Sequence, residues 1–387
     1  MTESKELHVF LVAGEESGDL LGAALIAALR RARGGLRFSA VGGSHMAAEG
    51  VPSLFPLGDL AIIGFAAIAT SLPKILKRIA EAADAVIAAN PDVLVIIDSP
   101  EFTHRVARRV RARAPHIVIV DYVCPSVWAW RPGRARAMRS YVDRVLALLP
   151  FETAAMQRLG GPPTDFVGHP LGERVGELRP DAGEARRRMS DPPLILVLPG
   201  SRGGEIRRMA PVFGATLGEV ARRFGDIEVV VAAVPRLAEA VSAATAAWPV
   251  PVRIVIEAAE KHLAFRQARA ALTKSGTSTL ELALAGIPMV AAYKVSLLEE
   301  LVARALITTP SVILANLVLG ENAVPEFMLR DCTVETMSAA LLPLLADTPE
   351  RRLQIDAFEK LNQLMDIGGR APSDRAADLV LQSSGSI

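Results

Sequence analysis

The stretch Leu194–Arg207, LILVLPGSRGGEIR, decides the fold. Five apolar residues, Leu194 to Leu198, run into Pro199-Gly200-Ser201-Arg202-Gly203-Gly204, and Glu205 then opens a helical pattern. A short apolar run bounded by Pro and Gly is how a strand buried on both faces reads. The glycines let the chain turn tightly and expose backbone N–H groups at the start of the next helix. Arg202 lies in that loop, where the positive end of the helix dipole adds to its charge. Two readings fit: a seat for a diphosphate, or a plain strand-to-helix turn with a surface arginine. A second loop of the same kind downstream, and an acceptor-like half upstream, favour the diphosphate.

Downstream, strands are expected at Ile227–Ala232, Arg253–Ile256, Ala270–Thr273 and Pro288–Ala292, with helices between them. Upstream, Leu7–Ala13 (LHVFLVA) is a first strand, followed by Gly14-Glu15-Glu16-Ser17-Gly18-Asp19 and an Ala/Leu-rich helix. Arg37–Val41, Asp92–Asp98, His116–Asp121 and Val142–Leu149 continue the series. Strands alternating with helices of this length imply βαβ units and a parallel sheet, and here that happens twice. The expected fold is therefore α/β: two doubly wound, Rossmann-like domains facing across a cleft, with a helical C-terminal tail. The first domain is placed at 1–170 and the second at 194–345. Residues 171–193, polar and rich in Arg, Pro and Gly, make the linker, and 346–387 form helices packing back on the lobes.

Bulk properties agree. A chain of 387 residues exceeds one core and suggests two domains. Lys+Arg 43 against Asp+Glu 42 leaves no field that would mark a nucleic-acid partner. Cys124 and Cys332 lie far apart with no ligand-spaced neighbour, which disfavours disulfide and zinc readings and fits a reducing cytoplasm. No signal peptide and no spanning helix are expected.

Several residues carry candidate chemistry. In Ser275-Gly276-Thr277-Ser278-Thr279-Leu280-Glu281, Ser278 and Glu281 have capping-box spacing, while Gly276, Thr277 and Thr279 suit an anion at the same helix terminus. Asp98 ends an apolar strand, where a carboxylate can take a proton from a hydroxyl; a helix cap or an arginine partner is the alternative. Glu15, Glu16 and Asp19 follow the first strand, too close together for all to be catalytic. His169 suits a brace better than a catalyst. The arginines of Phe102–Arg113 fall on no single stripe, so a solvated face is expected. Leu60–Leu72 is apolar and runs into Lys74, Lys77 and Arg78, the pattern of a segment lying in a membrane surface, with Ile62, Ile63 and Phe65 facing lipid. A buried helix is the other reading.

Together, GEESGD (14–19), VGG (41–43), IDSPEF (97–102), PSVWAWR (125–131), VGHP (167–170), LPGSRGGEI (198–206), SGTSTLE (275–281) and VPEF (324–327) resemble the lipid-A-disaccharide synthase family of inverting, GT-B glycosyltransferases. The resemblance implies attack by the 6-hydroxyl of 2,3-diacylglucosamine 1-phosphate on UDP-2,3-diacylglucosamine, giving a β-1,6 disaccharide 1-phosphate and UDP. It implies Asp98 as general base, Gly200, Ser201 and Arg202 with Ser275, Gly276, Thr277, Thr279, Glu281 and Asn316 around the nucleotide-sugar, and Glu15 and Ser17 on the acceptor side. It implies no cofactor and no metal, so Arg202 and helix dipoles neutralise the leaving group. The implied setting is cytoplasmic, peripheral to the inner membrane, with a second copy of the chain as a candidate partner. The sequence departs from the family pattern at Glu16, Cys124 and Met328-Leu329, where Ala, Ser and a nearby Gln are usual.

Three rival readings fit the motifs less well. Another envelope glycosyltransferase of GT-B fold using UDP-N-acetylglucosamine would lack PSVWAWR and IDSPEF. A two-lobed nucleotide-sugar-binding protein without catalysis would carry a signal sequence. A dinucleotide oxidoreductase would show G-x-G-x-x-G after Leu7–Ala13, and it is absent.

Overall fold

The computed structural model describes residues 6–60, 65–294, 309 and 311–385, with the side chains of 65–71 outside that description. The chain divides into two compact units, Met1–Pro170 with Ile367–Ile387, and Leu171–Asp366.

The first unit holds β1 (Leu7–Ala13), β2 (Leu36–Val41), β3 (Val93–Ile97), β4 (Val118–Tyr122), β5 (Arg144–Ala147) and β6 (Thr164–Phe166). They form one sheet in the order β2-β1-β3-β4-β5-β6, every pairing parallel. Its main helices are α1 (Glu16–Ala32), α2 (Phe65–Ala89), α3 (Pro100–Arg113) and α4 (Gly133–Met138). All seven residues of β1 are buried, and alternation decides which side each serves. Phe10 and Val12 pack with Ile79 and Val86 of α2 and Val106 and Val110 of α3. Val9, Leu11 and Ala13 pack with Leu25 and Leu29 of α1 and with Ala377 and Val380 of the terminal helix Pro372–Ser383. The tail therefore closes one face of the first unit.

The second unit holds β7 (Leu194–Leu198), β8 (Glu228–Ala232), β9 (Val252–Val255), β10 (Ala270–Lys274), β11 (Met289–Tyr293) and β12 (Glu326–Met328). Their order is β12-β11-β10-β7-β8-β9, again all parallel. α5 (Gly203–Phe224) lays Ile206, Met209, Phe213 and Leu217 over Ile195 and Val197 of β7. β12 is three residues long and was not anticipated by the strand pattern. The segment 171–193, polar in sequence, contains the helices Val175–Leu178 and Ala182–Arg188 and belongs to this unit. Its arginines explain the polarity. Buried Arg188 donates to the carbonyls of Phe265 at 2.9 Å and Gly286 at 3.1 Å, closing the ends of two helices whose last carbonyls lack intrahelical partners. Arg269 in turn donates to the Arg188 carbonyl at 2.9 Å, and Arg351 to the Arg269 carbonyl at 2.6 Å.

Both sheets reverse direction of growth once. In the first, β2 lies on one side of β1 and β3 on the other; in the second, β8 and β10 flank β7. Ligands of open parallel sheets bind beyond the strand carboxyl ends at such reversals. The loops there are 14–15 and 98–99 in one unit, and 199–202 and 275–277 in the other. All four belong to the sequence motifs.

Candidate active site

In the first unit the reversal is built around Asp98. It follows β3 with φ 54°, and Ser99 follows with φ 44°, two consecutive non-glycine residues in the left-handed region. Such backbone costs about 1–3 kcal/mol per residue and persists where surrounding contacts impose it. Those contacts are present: Asp98 N–H donates to the Tyr122 carbonyl at 3.2 Å, and Thr103 Oγ1 donates to the Asp98 carbonyl at 2.6 Å. Gly14 leaves room for the turn, since a Cβ there would lie 2.4 Å from that of Ser99. The Asp98 carboxylate is half-buried; Oδ1 accepts from Ser99 N–H at 2.7 Å and Oδ2 from Ser17 Oγ at 3.2 Å. Ser17 thus joins β1's loop to β3's across the reversal. Glu15 and Glu16 are exposed beside it at the start of α1. Asp19 has another task. It is buried and accepts from the N–H groups of Gly43 at 2.7 Å, His45 at 2.9 Å and Met46 at 3.1 Å, so it anchors the VGG turn.

The loop Pro125–Arg131 packs above this region. Trp128 meets Phe151 edge-to-face with centroids 4.8 Å apart, and its Nε1 donates to Glu152 Oε1 at 3.1 Å. Arg131 and Arg134 stack on Trp130. Cys124 is buried and its thiol pKa is pushed far up by burial, so it acts as a small apolar residue. Burial likewise lowers His169 to about 4, in keeping with a brace that stays neutral.

Glu152 is almost fully buried, which raises its pKa from 4.5 to about 7. Between those values the folded chain holds a proton that the unfolded chain releases, so stability is greatest below about pH 4.5 for this group and falls as pH rises toward 7, by up to about 3 kcal/mol. In Glu152→Gln that slope is expected to vanish from urea midpoints measured at pH 5 and pH 8. The variant gives up one of two acceptor oxygens, so it is less stable than the parent at pH 5. An unchanged slope would contradict the assignment.

In the second unit a cleft of about 300 Å³ lies over the β7/β10 reversal, lined by Gly200, Ser201, Arg202, Lys261, Lys274, Gly276, Thr277 and Ser278 among others. The loop differs from its expected construction. The N–H groups of Ser201 and Arg202 are not turned to a ligand; both are held by Glu205 Oε2, at 3.0 and 3.3 Å. Gly200, at φ 126°, is needed for that return, because a Cβ there would lie 2.5 Å from the Glu205 carboxylate. Those two N–H groups are therefore not open to a ligand in the cleft. Lys274 is 3.2 Å from Glu205 Oε1 and Lys261 is 3.1 Å from Glu281 Oε1, so two of the cations are balanced. Arg202 is exposed and makes no ion pair among the described residues. Lys261 and Lys274 escaped the sequence reading, although Lys274 directly precedes the SGTSTLE motif.

The remaining residues divide by burial. Thr277 faces the cleft, whereas Thr279 is buried and spends its hydroxyl on the Gly276 carbonyl at 2.7 Å. Ser275 is buried beside them. Asn316 is 2% exposed, and its amide is used both ways on Val324: Nδ2 donates to the carbonyl at 3.0 Å and Oδ1 accepts from the N–H at 2.9 Å. It pins the VPEF segment from within. Glu326 of that segment accepts from Ser311 Oγ at 2.8 Å. Ile62 and Ile63 lie outside the described residues, as does the Phe65 side chain. Along the described part of α2, Leu72 and Leu76 are 45% and 40% exposed, one helical turn apart. No helix among the described residues is long and apolar enough to cross a membrane.

Two all-parallel, doubly wound units, each with a loop site at its sheet reversal, define the GT-B class. Solved structures of this architecture match almost end to end: Staphylococcus aureus MnaA, solved with UDP, at a TM-score of 0.64 with 98% of each chain covered, and Acinetobacter baumannii MurG at 0.59 with 97% and 99% covered. At 12% and 16% identity these establish the fold alone. The family model for lipid-A-disaccharide synthetase matches residues 9–379, and the lipid-A-disaccharide synthase of Nitrobacter hamburgensis is 59% identical over 377 residues, 97% of this chain and 95% of that one. The chain belongs to the lipid-A-disaccharide synthase family of glycosyltransferases.

Proposed function

We propose that this chain transfers 2,3-diacylglucosamine from its UDP derivative to the 6-hydroxyl of 2,3-diacylglucosamine 1-phosphate, with inversion. Asp98 takes the proton from the 6-hydroxyl as that oxygen attacks the anomeric carbon. The bond from that carbon to UDP breaks, and the electron pair leaves with the diphosphate. Arg202 carries the charge that develops there, with Lys274 and Lys261 behind it. Ser17 and the Ser99 N–H orient the base. Asn316 supports the sugar side by holding Val324–Phe327. Glu15 lies on the acceptor side. The carrying observation is Asp98: a held carboxylate on strained backbone at a sheet reversal, which a merely structural cap would not require. The test is release of UDP with both acylated substrates present, repeated with EDTA. UDP release that needs both substrates and survives EDTA is expected. Release that ignores the acceptor would sink the reading.

The substrates' acyl chains also require a route from the bilayer. Peripheral contact with the inner membrane through α2 follows, extended by Ile62, Ile63 and Phe65. Leu72 and Leu76 supply exposed apolar surface and Lys77 an exposed charge, while Lys74 is engaged by Asp59 at 2.6 Å. Replacing Leu72 and Leu76 together by Glu is expected to lower the fraction co-sedimenting with anionic liposomes while leaving the melting temperature near that of the parent. Undiminished co-sedimentation would assign α2's outer face to something other than lipid.

A further inference from the structure

A second cationic pocket lies in the first unit, along the helix that Asp98 leads into, and the donor site does not use it. It encloses about 110 Å³ and is lined by Glu101, His104, Arg105 and Arg108 of α3, Arg134 of α4, and Tyr141, with Pro125 and Val127 of the tryptophan loop above. The sequence spacing suggested that the α3 arginines were a solvated face, and Arg105, Arg108, Arg109 and Arg113 are exposed. Two of them, Arg105 and Arg108, also share this pocket with Arg134 of α4.

The donors are fixed from behind. Asp121 of β4 is 1% exposed, with Oδ2 3.1 Å from His104 Nε2. His104 Nδ1 is 3.0 Å from the Tyr141 hydroxyl. Arg108 lies over the Tyr141 ring at 4.7 Å and donates to its hydroxyl at 3.3 Å. Glu101 answers only part of the charge: it accepts from Arg134 at 2.8 Å and lies 3.4 Å from Arg105. Arg108 has no carboxylate partner among the described residues. Three guanidiniums against one exposed carboxylate, around a tyrosine held by a buried His–Asp pair, leave a surplus positive charge with planar, forked donors. That suits a phosphomonoester.

Position selects which one. Pro100 and Glu101 of the pocket wall come two and three residues after Asp98, and Thr103 bonds the Asp98 carbonyl. A glucosamine whose 6-hydroxyl meets Asp98 extends one ring away to its anomeric phosphate. We infer that Arg108, Arg134 and Tyr141 form the subsite for the phosphomonoester of the acceptor and let the enzyme distinguish a phosphorylated acceptor from its dephosphorylated form. This rests on the transfer reading above, and Arg202 serves a different phosphate, that of the donor.

The test compares acceptors with and without the 1-phosphate on the full chain, for the parent, Arg108→Gln, Arg134→Gln and Tyr141→Phe. Loss of a charge-assisted bond predicts a rise of about tenfold or more in KM for the phosphorylated acceptor in each arginine variant. KM for UDP-diacylglucosamine and turnover of the dephosphorylated acceptor stay as in the parent, so discrimination collapses. Arg108→Lys should recover part of it, which a folding defect would not. Preserved discrimination in the arginine variants overturns the inference. Binding to phosphatidylcholine vesicles doped with phosphatidic acid separates the other source: if the variants lose that binding yet still discriminate acceptors, the pocket takes a lipid headgroup and the assignment is wrong. If the parent transfers no sugar, the transfer reading fails on its own. The pocket is then judged by phosphorus NMR titration with glucosamine 1-phosphate, whose shift change must appear in the parent and vanish in Arg108→Gln.

Discussion

Asp98→Asn is expected to lower sugar transfer by roughly 10²–10⁴-fold while UDP-sugar affinity stays at the parent value. The amide has the carboxylate's shape, and its oxygen can still accept from Ser99 N–H or Ser17 Oγ, which lie 2.7 and 3.2 Å from the native oxygens. The turn is held mainly through backbone, by the Tyr122 carbonyl and by Thr103, and neither contact involves the substituted atoms. What the variant loses is the capacity to take a proton from the attacking hydroxyl. In the proposed function donor binding belongs to the second unit and is untouched by the substitution. Normal turnover with both acylated substrates would remove Asp98 from the mechanism.

Arg202→Ala should weaken UDP binding by about 1.5–3 kcal/mol, roughly ten- to a hundredfold in Kd by calorimetry. The size follows from how the cleft is balanced. Lys274 faces Glu205 at 3.2 Å and Lys261 faces Glu281 at 3.1 Å, so removing either would also free an acid. Among the described residues Arg202 has no such partner. The Ser201 and Arg202 N–H groups are already held by Glu205, so these two donors cannot take over. Arg202→Lys keeps charge but not the fork and should fall between parent and Ala. An unchanged Kd for UDP in Arg202→Ala would exclude the diphosphate role.

Apolar runs and glycine loops carried most of the architecture into the sequence. β1, β3 and β7 are buried on both faces, and nothing but a covered parallel sheet accommodates LHVFLVA, DVLVIID and LILVL in one chain. β12 was missed because three residues are too few for any period to register. Helix Ala182–Arg188 was hidden for a different reason: its Arg188 acts on carbonyls distant in sequence, and composition does not reveal such partners. The candidate site was legible where a single residue type at a strand end decides the matter, as with Asp98. It was less so where a motif residue supports its neighbours from inside. Asp19, Thr279 and Asn316 look like ligand groups in sequence, yet each spends its polar atoms on backbone within its own unit. The pocket of Arg108, Arg134 and Tyr141 was invisible for the same reason in reverse, since its members are scattered over three segments and meet only in the fold.

The central claim is that this chain takes the sugar from UDP-2,3-diacylglucosamine and builds an inverted linkage. It is tested most directly by NMR of the product formed from UDP-2,3-diacylglucosamine and 2,3-diacylglucosamine 1-phosphate. A large anomeric proton coupling and a carbon shift at the acceptor's C6 are predicted, marking a β-1,6 bond, with one UDP released per disaccharide. An α-linked product, a bond to another hydroxyl, or UDP formed without disaccharide would contradict it.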